Sequence, residues 1–303
     1  MNTSSPWLRT YLSGESSEPL VISTTGTGGE VKKVLIPASA LIASANSAHK
    51  YLGAKLGDSW SLLLPTSHIA GINVLTRSIL LESEIKTIDQ RADFTSIVPT
   101  QLFRALNGDH NLLSHLQSAK CVLVGGAPLS QSIRNQAELA GIKVVTTYGM
   151  TETCGGCVYD GIPLDGVSIQ IIDGLIELKV PEMNSGDWIK TKDLGEIVDG
   201  KLKILGRVDD VIISGGENIS LDKLEKYLEA KFSNQLFVAV ALPDEKWGEI
   251  LGLVSEKEFP SEMNSQIAND LGKFYVPKTS KVISNIPTIG IGKFDRSAIA
   301  KLF

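Results

Sequence analysis

Apolar runs alternate with amphipathic segments along the first half of the chain. Between the runs lie segments with helical spacing of apolar residues, at 37–53 and 129–141. Strands that alternate with helices are typical of a parallel sheet, whose functional loops follow the carboxyl ends of the strands. The pattern therefore predicts an α/β domain. Its strand-length runs each end at proline or glycine, at 59–65, 94–99, 121–128 and 142–149.

Near residue 166 the pattern changes to short strands and turns. Short apolar runs lie at 167–173, 174–180 and 200–207. Such runs predict antiparallel hairpins, which we expect to form a barrel-like part of the fold. An amphipathic helix containing Leu221, Leu224 and Leu228 follows, and then a strand at 236–244 and a further α+β segment.

Together these segments predict two domains. The chain has 303 residues, and single hydrophobic cores stop growing at about 250–300 residues. We expect a large α/β domain at 1–207, with mostly parallel sheets, flanking helices and the barrel-like antiparallel part. A small mobile α+β domain at 208–303 is expected to follow it.

Composition narrows the classes of partner. Hydrophobic residues make up 43% of the chain and charged residues 21%, with a formal net charge of −5. The sequence contains no long basic run, which argues against nucleic acid and anionic membranes. It has no apolar stretch approaching about 18 residues, and its polar start does not look like a signal peptide. We therefore expect a cytoplasmic protein without membrane insertion.

Three cysteines are too few for a disulfide framework in a chain of this size. Cys154 and Cys157 form a lone CxxC pair, without a second pair or histidines at ligand spacing. A metal site needs such additional ligands. We interpret the two residues as small side chains in a tight loop.

Residues 23–34 read STTGTGGEVKKV and follow an apolar run. Glycines allow consecutive backbone N–H groups to converge on an anion, and threonine hydroxyls add donors. The segment is not a Walker A sequence, because Val31 stands where the second glycine is required. Taken alone, it is equally compatible with a phosphate loop and with a glycine turn before a helix.

A second polar segment, TTYGMTET at 146–153, follows a predicted strand. Glu152 could hold Mg²⁺ while the metal neutralises phosphate charge. The alternative is a capping box at a helix start, in which the threonine and glutamate satisfy backbone amides.

Three further charged residues stand beside glycines in the second half of the chain. Asp193 could accept two hydrogen bonds from a ribose diol, although a hairpin-turn aspartate is the alternative. Arg207 follows Gly206 in a predicted tight turn, and the alternative for it is a surface ion pair. Lys293 lies in a glycine-containing loop and could stabilise negative charge at a reacting centre, whereas most lysines are simply solvated.

In this order, the motifs resemble the acyl-adenylate-forming superfamily, which includes acyl-CoA synthetases, luciferases and peptide-synthetase adenylation domains. The resemblance extends from about Val21 to Arg296. Its motifs are TTGTGGEVKKV at 24–34, LLLPTSHIAG at 62–71, GGAPLS at 125–130, YGMTET at 148–153, TKDLG at 191–195, GRVDDVIISGGENIS at 206–220 and GIGKFDR at 290–296.

The resemblance implies a role for each matching residue. Lys293, Thr151, Glu152 and His68 would be catalytic, with Glu152 also binding the metal. Asp209 would be the hinge, and Gly215 and Gly216 would line the CoA tunnel. The nucleotide would be bound by Thr24, Thr25, Gly26, Thr27, Gly28, Gly29, Lys32, Gly125, Gly126, Ala127, Tyr148, Gly149, Met150, Asp193 and Arg207.

Within the superfamily, the chain resembles the o-succinylbenzoate–CoA ligases of menaquinone synthesis. These enzymes tend to carry a basic residue nine positions after the motif histidine, where Arg77 follows His68. The resemblance implies that Arg77 binds the second carboxylate of the acid, and that His68 and Gly71 also contact the substrate. The alternative for Arg77 is a surface ion pair.

Some positions depart from the superfamily pattern. Gly28 replaces a threonine, Val31 a proline and Ile291 a small residue. We therefore expect ATP to be held at the loop mainly by backbone amides. The first hundred or more residues of longer members have no counterpart, so either the acid site is incomplete or a partner subunit covers one side of it.

The predicted activity is ATP-dependent ligation of a carboxylic acid to CoA through an acyl-adenylate. The resemblance implies Mg²⁺ as the cofactor, ATP and CoA as co-substrates and a small carboxylic acid as the substrate. The protein could also form a homodimer. The alternatives are another aryl- or fatty-acid–CoA ligase and a degenerate nucleotide-binding regulatory homologue. The retention of Glu152, Asp193, Arg207 and Lys293 argues against the degenerate homologue.

Overall fold

A computed structural model describes residues 5–16, 18–25, 31–232, 235–289 and 293–303, without the side chains of Thr25, Val31 and Lys293. Two compact units are present. The first contains Met1–Leu129, Arg134–Thr191 and Gly195–Lys203, and the second contains Ser130–Ile133, Lys192–Leu194 and Ile204–Phe303. The main division thus falls after Lys203, close to the predicted boundary. The functional division into an adenylation domain and a lysine-bearing domain stays a prediction.

The first unit begins with a helix and a two-stranded hairpin. Helix α1 spans Pro6–Leu12, and strands β1 and β2 span Leu20–Thr25 and Val31–Ile36. The strands are antiparallel, with Thr24 opposite Lys32. A strand therefore follows the glycine segment directly, where one interpretation expected a helix. The side chains of this segment alternate between the two faces of the strand, since Val34 and Ile36 are buried while Leu35 between them is exposed. This period of two residues explains why the segment forms a strand.

A six-stranded sheet forms the centre of the first unit, in the order β3-β4-β5-β6-β7-β8. Strands β3 to β6 are parallel, and β7 and β8 add antiparallel partners. The predicted mostly parallel sheet is therefore confirmed. The strand bounds are Trp60–Ser61, Phe94–Ile97, Cys121–Gly125, Val144–Met150, Gly155–Tyr159 and Ile162–Pro163.

Helices separate the parallel strands, as predicted. Helix α2 begins after Pro37 and ends at Gly53, which adopts φ 65°, so both predicted ends are confirmed. The predicted helix at 129–141 corresponds to α6. The bounds of α2 to α6 are Ala38–Leu52, Ile69–Leu80, Pro99–Leu106, His110–Ser118 and Gln131–Leu139.

A four-stranded sheet stands where the barrel-like antiparallel part was predicted. Its order is β12-β11-β10-β9, and β9 and β10 form an antiparallel hairpin. Asp173 and Gly174 connect them with φ 51° and 79°, as a two-residue hairpin turn requires. The bounds of β9 to β12 are Ser168–Ile172, Leu175–Lys179, Ile189–Val198 and Lys201–Arg207.

The second unit is built on an α+β core. Strands β13 to β17 form one sheet, with β15 and β16 paired antiparallel along eight residue pairs. Leu224 and Leu228 of α7 are fully buried, which confirms the predicted amphipathic helix. Strands β13 to β19 are Val211–Ser214, Glu217–Ser220, Phe237–Asp244, Gly248–Ser255, Thr279–Val282, Thr288–Ile289 and Lys293–Phe294, and helices α7 to α9 are Leu221–Lys231, Met263–Asp270 and Arg296–Ala300.

Candidate functional site

Two predicted nucleotide motifs meet at the carboxyl edge of the central sheet. Strand β5 ends at Gly125, which lies opposite Thr147 of β6. A Cβ atom on Gly125 would lie 2.1 Å from the Thr147 hydroxyl oxygen, and Gly126 has φ 84°. Glycine is therefore required where these chains approach each other. Parallel pairing brings the segments 125–127 and 148–153 to one edge.

A short 3-10 turn at Thr151–Thr153 follows β6. The backbone N–H of Met150 donates to the Thr153 hydroxyl oxygen at 2.8 Å, and that hydroxyl lies 2.9 and 2.7 Å from the carbonyl oxygens of Met150 and Gly155. The capping interpretation thus applies to Thr153. It does not apply to Glu152, because the Glu152 carboxylate forms an ion pair with Lys32.

Glu152 instead pairs with Lys32 of the hairpin. Lys32 Nζ lies 3.0 Å from Glu152 Oε1, and the two side chains are 66% and 25% exposed. An exposed pair of this kind contributes about 1 kcal/mol or less to stability. Its significance is geometric, because it brings together two predicted site residues that are 120 positions apart. Of the residues predicted to form a phosphate loop, Gly26, Thr27, Gly28 and Gly29 lie outside the described residues.

Helix α3 carries the predicted substrate residues. His68 is its N-cap residue and is half-buried. A Cβ atom on Gly71 would lie 2.3 Å from the Pro65 carbonyl oxygen, so glycine is needed there for close packing of the helix on the preceding loop. The predicted contacts of His68 and Gly71 with substrate stay predictions.

Arg77 lies in the last turn of α3 and is only 4% exposed. Its Nη2 donates to the Tyr159 hydroxyl at 3.0 Å, and its guanidinium carbon lies 5.1 Å from the centroid of the Trp60 ring. Within the described part of the chain, Nε has no partner and no carboxylate forms an ion pair with Arg77. The surface ion pair proposed as an alternative is therefore wrong, because the helix buries this face.

Further buried polar atoms surround Arg77. We call His49, Trp60, Asn73, Arg77 and Tyr159 the α3 polar cluster. Among the described residues, His49 Nε2, Trp60 Nε1 and Asn73 Oδ1 also lack hydrogen-bond partners. Buried polar atoms are nearly always paired, and each exception requires an explanation. The α3 polar cluster therefore contains four buried polar atoms that no described protein group satisfies.

Because His49 is buried in the α3 polar cluster, we expect the stability of the first unit to depend on pH. Burial, followed by the charge of Arg77, lowers the pKa of His49 to about 4, from about 6.5 in the unfolded chain. The neutral form is therefore favoured in the folded protein, so stability is fully present above pH 6.5 and is lost as pH falls toward 4. The free energy of unfolding should drop by about 2 kcal/mol more in the wild type than in His49→Gln between pH 7 and 4.5.

Urea unfolding at both pH values measures this difference. Buried His115 is present in both proteins, so its own lowered pKa contributes equally to each. His110→Gln, at an exposed position, is the matched control and should retain the wild-type pH dependence. If His49→Gln also retained the wild-type pH dependence, the inference that the buried His49 imidazole is neutral would be disproved.

A second group of predicted residues meets in the second unit. Arg207 Nη1 donates to Asp193 Oδ1 at 2.7 Å, and Nε and Nη2 donate to the two oxygens of Asp209 at 2.8 and 3.1 Å. Lys192 Nζ lies 3.3 Å from Asp209 Oδ2. Burial tends to raise the pKa of Asp209, but Arg207 and Lys192 outweigh it and hold that pKa below its ordinary value.

These contacts revise two alternatives. Asp193 lies within β11 and is 6% exposed, so the interpretation as a hairpin-turn aspartate is wrong. Arg207 does form ion pairs, but with two carboxylates that the sequence analysis assigned to ribose binding and to the hinge. The structure thus joins Asp193, Arg207 and Asp209, whose functional roles stay predictions.

Gly215 and Gly216 form the turn between β13 and β14, with φ 60° and 87°. The Gly215 N–H donates to the Trp247 carbonyl at 3.0 Å, and a Cβ on Gly215 would lie 2.5 Å from the Trp247 ring. Lys246 Nζ and Lys278 Nζ lie 5.0 and 5.8 Å from the same ring. The sequence motifs do not include Trp247. A tryptophan before a glycine in a strand connection, with lysine beside it, is the signal that could have identified it.

Lys293 begins β19 and pairs through its backbone with Ile289 of β18. Its side chain and residues 290–292 lie outside the described residues, so its catalytic role stays a prediction.

The two cysteines of the CxxC pair are core residues. Cys154 adopts φ 57° at a turn, whereas Cys157 lies in β7, and both are nearly inaccessible to solvent. Burial raises the pKa of each thiol to about 12. Thiols with such pKa values are unreactive. The loop interpretation therefore applies to Cys154 but not to Cys157.

Two negative findings apply to the described part of the chain. It contains no group of three or more His, Cys, Asp or Glu side chains arranged to hold a metal ion. None of its helices combines the length and apolar character needed to cross a membrane.

The fold and the order of the motifs agree with comparisons to known proteins. The family model described as AMP-binding enzyme matches residues 15–200. The chain therefore belongs to the AMP-binding enzyme family.

Individual relatives narrow the comparison. A protein of Mycobacterium tuberculosis named "Probable 2-succinylbenzoate--CoA ligase" is 33% identical, over 94% of this chain and 84% of the relative. The o-succinylbenzoate CoA synthetase of Bacillus subtilis, solved with the acyl-adenylate intermediate OSB-AMP, has a TM-score of 0.76 and 26% identity, over 92% of this chain and 68% of its own. A single-residue variant of Escherichia coli MenE with bound OSB-AMS has a TM-score of 0.80 at 24% identity. The match covers 93% of this chain and 68% of the other, and it supports the fold alone.

Proposed function

We propose that the chain is an ATP-dependent acid–CoA ligase that converts 2-succinylbenzoate to its CoA thioester, as in menaquinone biosynthesis. The reaction has two halves. First, an oxygen of the substrate carboxylate attacks the α-phosphorus of ATP, which forms acyl-AMP and releases pyrophosphate. Then the thiolate of CoA attacks the acyl carbonyl carbon and displaces AMP.

Nucleotide binding is assigned to the carboxyl edge of the central sheet and to the hairpin. Thr24 to Gly29 and Lys32 would hold the β- and γ-phosphates, and Thr151 would contact the α-phosphate. The segments 125–127 and 148–150 would enclose the adenine, while Asp193 and Arg207 would bind the ribose side. The segments 125–127 and 148–150 lie at strand ends on the carboxyl edge of the central sheet, and the glycines there suit a ligand that the backbone must approach closely.

Glu152 is the residue that would hold Mg²⁺. Magnesium is commonly bound by one or two carboxylates together with substrate phosphates, so a single partly exposed carboxylate fits the ion. When bound, Mg²⁺ would neutralise charge on the phosphates. The amine of Lys32, 3.0 Å from this carboxylate, is within reach of the same phosphates. Both residues would therefore act on one anion.

Lys293 and the hinge complete the proposal. Lys293 would bridge the carboxylate and phosphate oxygens, where charge redistributes in the transition state of the first half-reaction. Movement at Asp209 would then remove Lys293 and present Gly215 and Gly216 to CoA. The contact between Gly215 and Trp247 adds an aromatic wall to this proposed thiol path.

The burial of the Arg77 guanidinium is the observation that supports 2-succinylbenzoate as the substrate acid. A buried guanidinium without a carboxylate partner is costly, and a second carboxylate on the substrate would compensate it bidentately. His68 and Arg77 are nine residues apart on one helix, which corresponds to about 13 Å along the axis. A dicarboxylic acid could therefore place its reacting carboxylate near the His68 end and its second carboxylate at Arg77.

Thioester formation tests the proposal. The purified chain is incubated with ATP, Mg²⁺, CoA and one acid from a panel of 2-succinylbenzoate, benzoate, 2-alkylbenzoates and fatty acids, and thioester and AMP are quantified. We expect 2-succinylbenzoate to give a kcat/KM at least about 100-fold above the monoacids, the loss expected when a buried charge has no partner. Preference for an aryl or fatty monoacid would establish the alternative ligase, and no turnover of any acid would contradict the ligase assignment.

The homodimer and the cytoplasmic location also stay predictions. Light scattering of the purified chain would measure the oligomeric state directly.

A further inference from the structure

Arg296 forms a bidentate ion pair in the second unit, close to Lys293 in the sequence. It begins α9, and its guanidinium donates to both carboxylate oxygens of Glu225, from Nη1 at 2.7 Å and from Nη2 at 2.9 Å. The same Nη1 also contacts the carbonyl oxygen of Ala239. Bidentate pairs of this kind fix orientation as well as position.

Glu225 is held in turn by the neighbouring strand. Its Oε1 accepts a hydrogen bond from the backbone N–H of Ala239 at 2.7 Å, and its side chain is 16% exposed. The ion pair therefore joins α7, which carries Glu225, to β15 and to the start of α9. Three elements of one unit meet at this single pair.

The pair lies three residues from Lys293. Asp295 accepts the Ala298 N–H as the N-cap of α9, and its own N–H donates to the Pro287 carbonyl at 2.9 Å. Phe294 packs against a buried cluster of the same unit. Consecutive Cα atoms are 3.8 Å apart, so the Lys293 Cα lies within about 11 Å of the Arg296 Cα. The anchored segment therefore fixes where the lysine side chain begins.

We propose that Arg296 is a positioning residue for Lys293, acting through its ion pair with Glu225. The proposal rests on the function proposed above, because it gives Lys293 a role in adenylation. Arg296 itself touches no substrate. Its effect is to hold the backbone at 293–296 so that the lysine amine reaches the reacting oxygens without first ordering its loop, which would cost conformational entropy.

Charge around the pair also connects it with the predicted hinge. Burial raises the pKa of Asp210, and the positive charges of Arg296 and then Arg207 act against that rise. Asp210 follows the predicted hinge residue Asp209 directly. The Arg296 charge therefore acts on Asp210 as well, although the hydrogen bonds of the guanidinium go to Glu225 and the Ala239 carbonyl.

Measurement of the two half-reactions separately tests the proposal. Arg296→Met should lower acid-dependent ATP–pyrophosphate exchange with 2-succinylbenzoate by about 10- to 100-fold, with the KM for ATP within about twofold of wild type. Thioester formation from preformed acyl-AMP and CoA should stay within about threefold, because Lys293 is not needed for it. Arg296→Lys, which keeps the charge without the fork, should recover part of the exchange rate.

A double variant and a matched control sharpen the test. In a Lys293→Ala background, adding Arg296→Met should lower exchange no further, since both changes act through one residue. Lys231→Met removes an ion pair between Lys231 and Asp270 in the same unit and should leave both half-reactions unchanged. Equal loss in the two half-reactions, or an additional loss in the Lys293→Ala background, would overturn the positioning role.

Failure of the proposed function would look different. If the wild type catalyses no pyrophosphate exchange with any acid, amide hydrogen exchange of peptides covering 293–300 decides whether Arg296 anchors the segment. The Arg296→Met protein should then exchange at least about tenfold faster there than the Lys231→Met protein. Unchanged protection would refute the anchoring itself.

Discussion

Replacement of Lys293 by alanine is expected to lower acid-dependent ATP–pyrophosphate exchange by about 10²- to 10³-fold, the cost of removing one preorganised donor from a charge-developing centre. The amine would act on carboxylate and phosphate oxygens at the moment when charge moves between them. CoA attack on a preformed acyl-AMP involves a different arrangement, so that half-reaction should stay within about threefold of wild type. Isotope exchange and a single-turnover thioester assay measure the two steps.

Lys301→Ala is the control for this experiment. Lys301 is an exposed lysine close to the same end of the chain, so its replacement tests whether loss of any nearby positive charge affects the reaction. Both half-reactions of that variant should match wild type. A Lys293→Ala protein that loses both half-reactions to the same extent would contradict the assigned role, because a general disturbance of folding or nucleotide binding would then explain the data.

Local patterns predicted the architecture well because the determinants are local. Gly53 ends α2 in the left-handed region, and the Asp-Gly pairs at 173–174 and 199–200 form tight hairpin turns. Strand length was less predictable. The run at 59–65 gives a strand only at Trp60–Ser61, and Ser61 also forms an isolated parallel bridge with Lys86.

Pairings within the site could not be read from the sequence. The sequence singles out Lys32 and Glu152 separately as candidate site residues, but their ion pair joins segments that only the tertiary fold brings together. The same holds for Arg207, which pairs with Asp193 and Asp209 at once. Local spacing specifies helices and strands, whereas these contacts depend on how the strands are ordered in the sheets.

Arg77 shows most clearly where pattern reasoning fails. Arginine is mostly exposed in proteins, so an arginine on an amphipathic helix is expected at the surface. Helix α3 is instead buried on most sides, including at Asn73, Thr76 and Ser78. Because polar residues are interspersed among apolar ones, the sequence gives no warning that the last turn is enclosed.

Removal of the Arg77 charge should therefore have two opposite effects. In Arg77→Met, kcat/KM for 2-succinylbenzoate should fall by at least about 100-fold, while a benzoate-like monoacid should lose less than about threefold. Without ligand, the variant should unfold at the same or a higher temperature. An apolar side chain of similar volume can stack on Trp60 without the cost of an uncompensated buried charge.

Two further variants separate binding from packing at Arg77. Arg77→Lys keeps a positive charge but cannot pair bidentately, so it should recover part of the preference for the dicarboxylate. Tyr159→Phe removes the hydroxyl that accepts a hydrogen bond from Arg77 and should weaken that preference less than Arg77→Met does. Comparable losses for both acids, accompanied by a lower unfolding temperature, would make Arg77 a packing residue. The choice of 2-succinylbenzoate would then lose its structural support, while the ligase chemistry at the sheet edge would be unaffected.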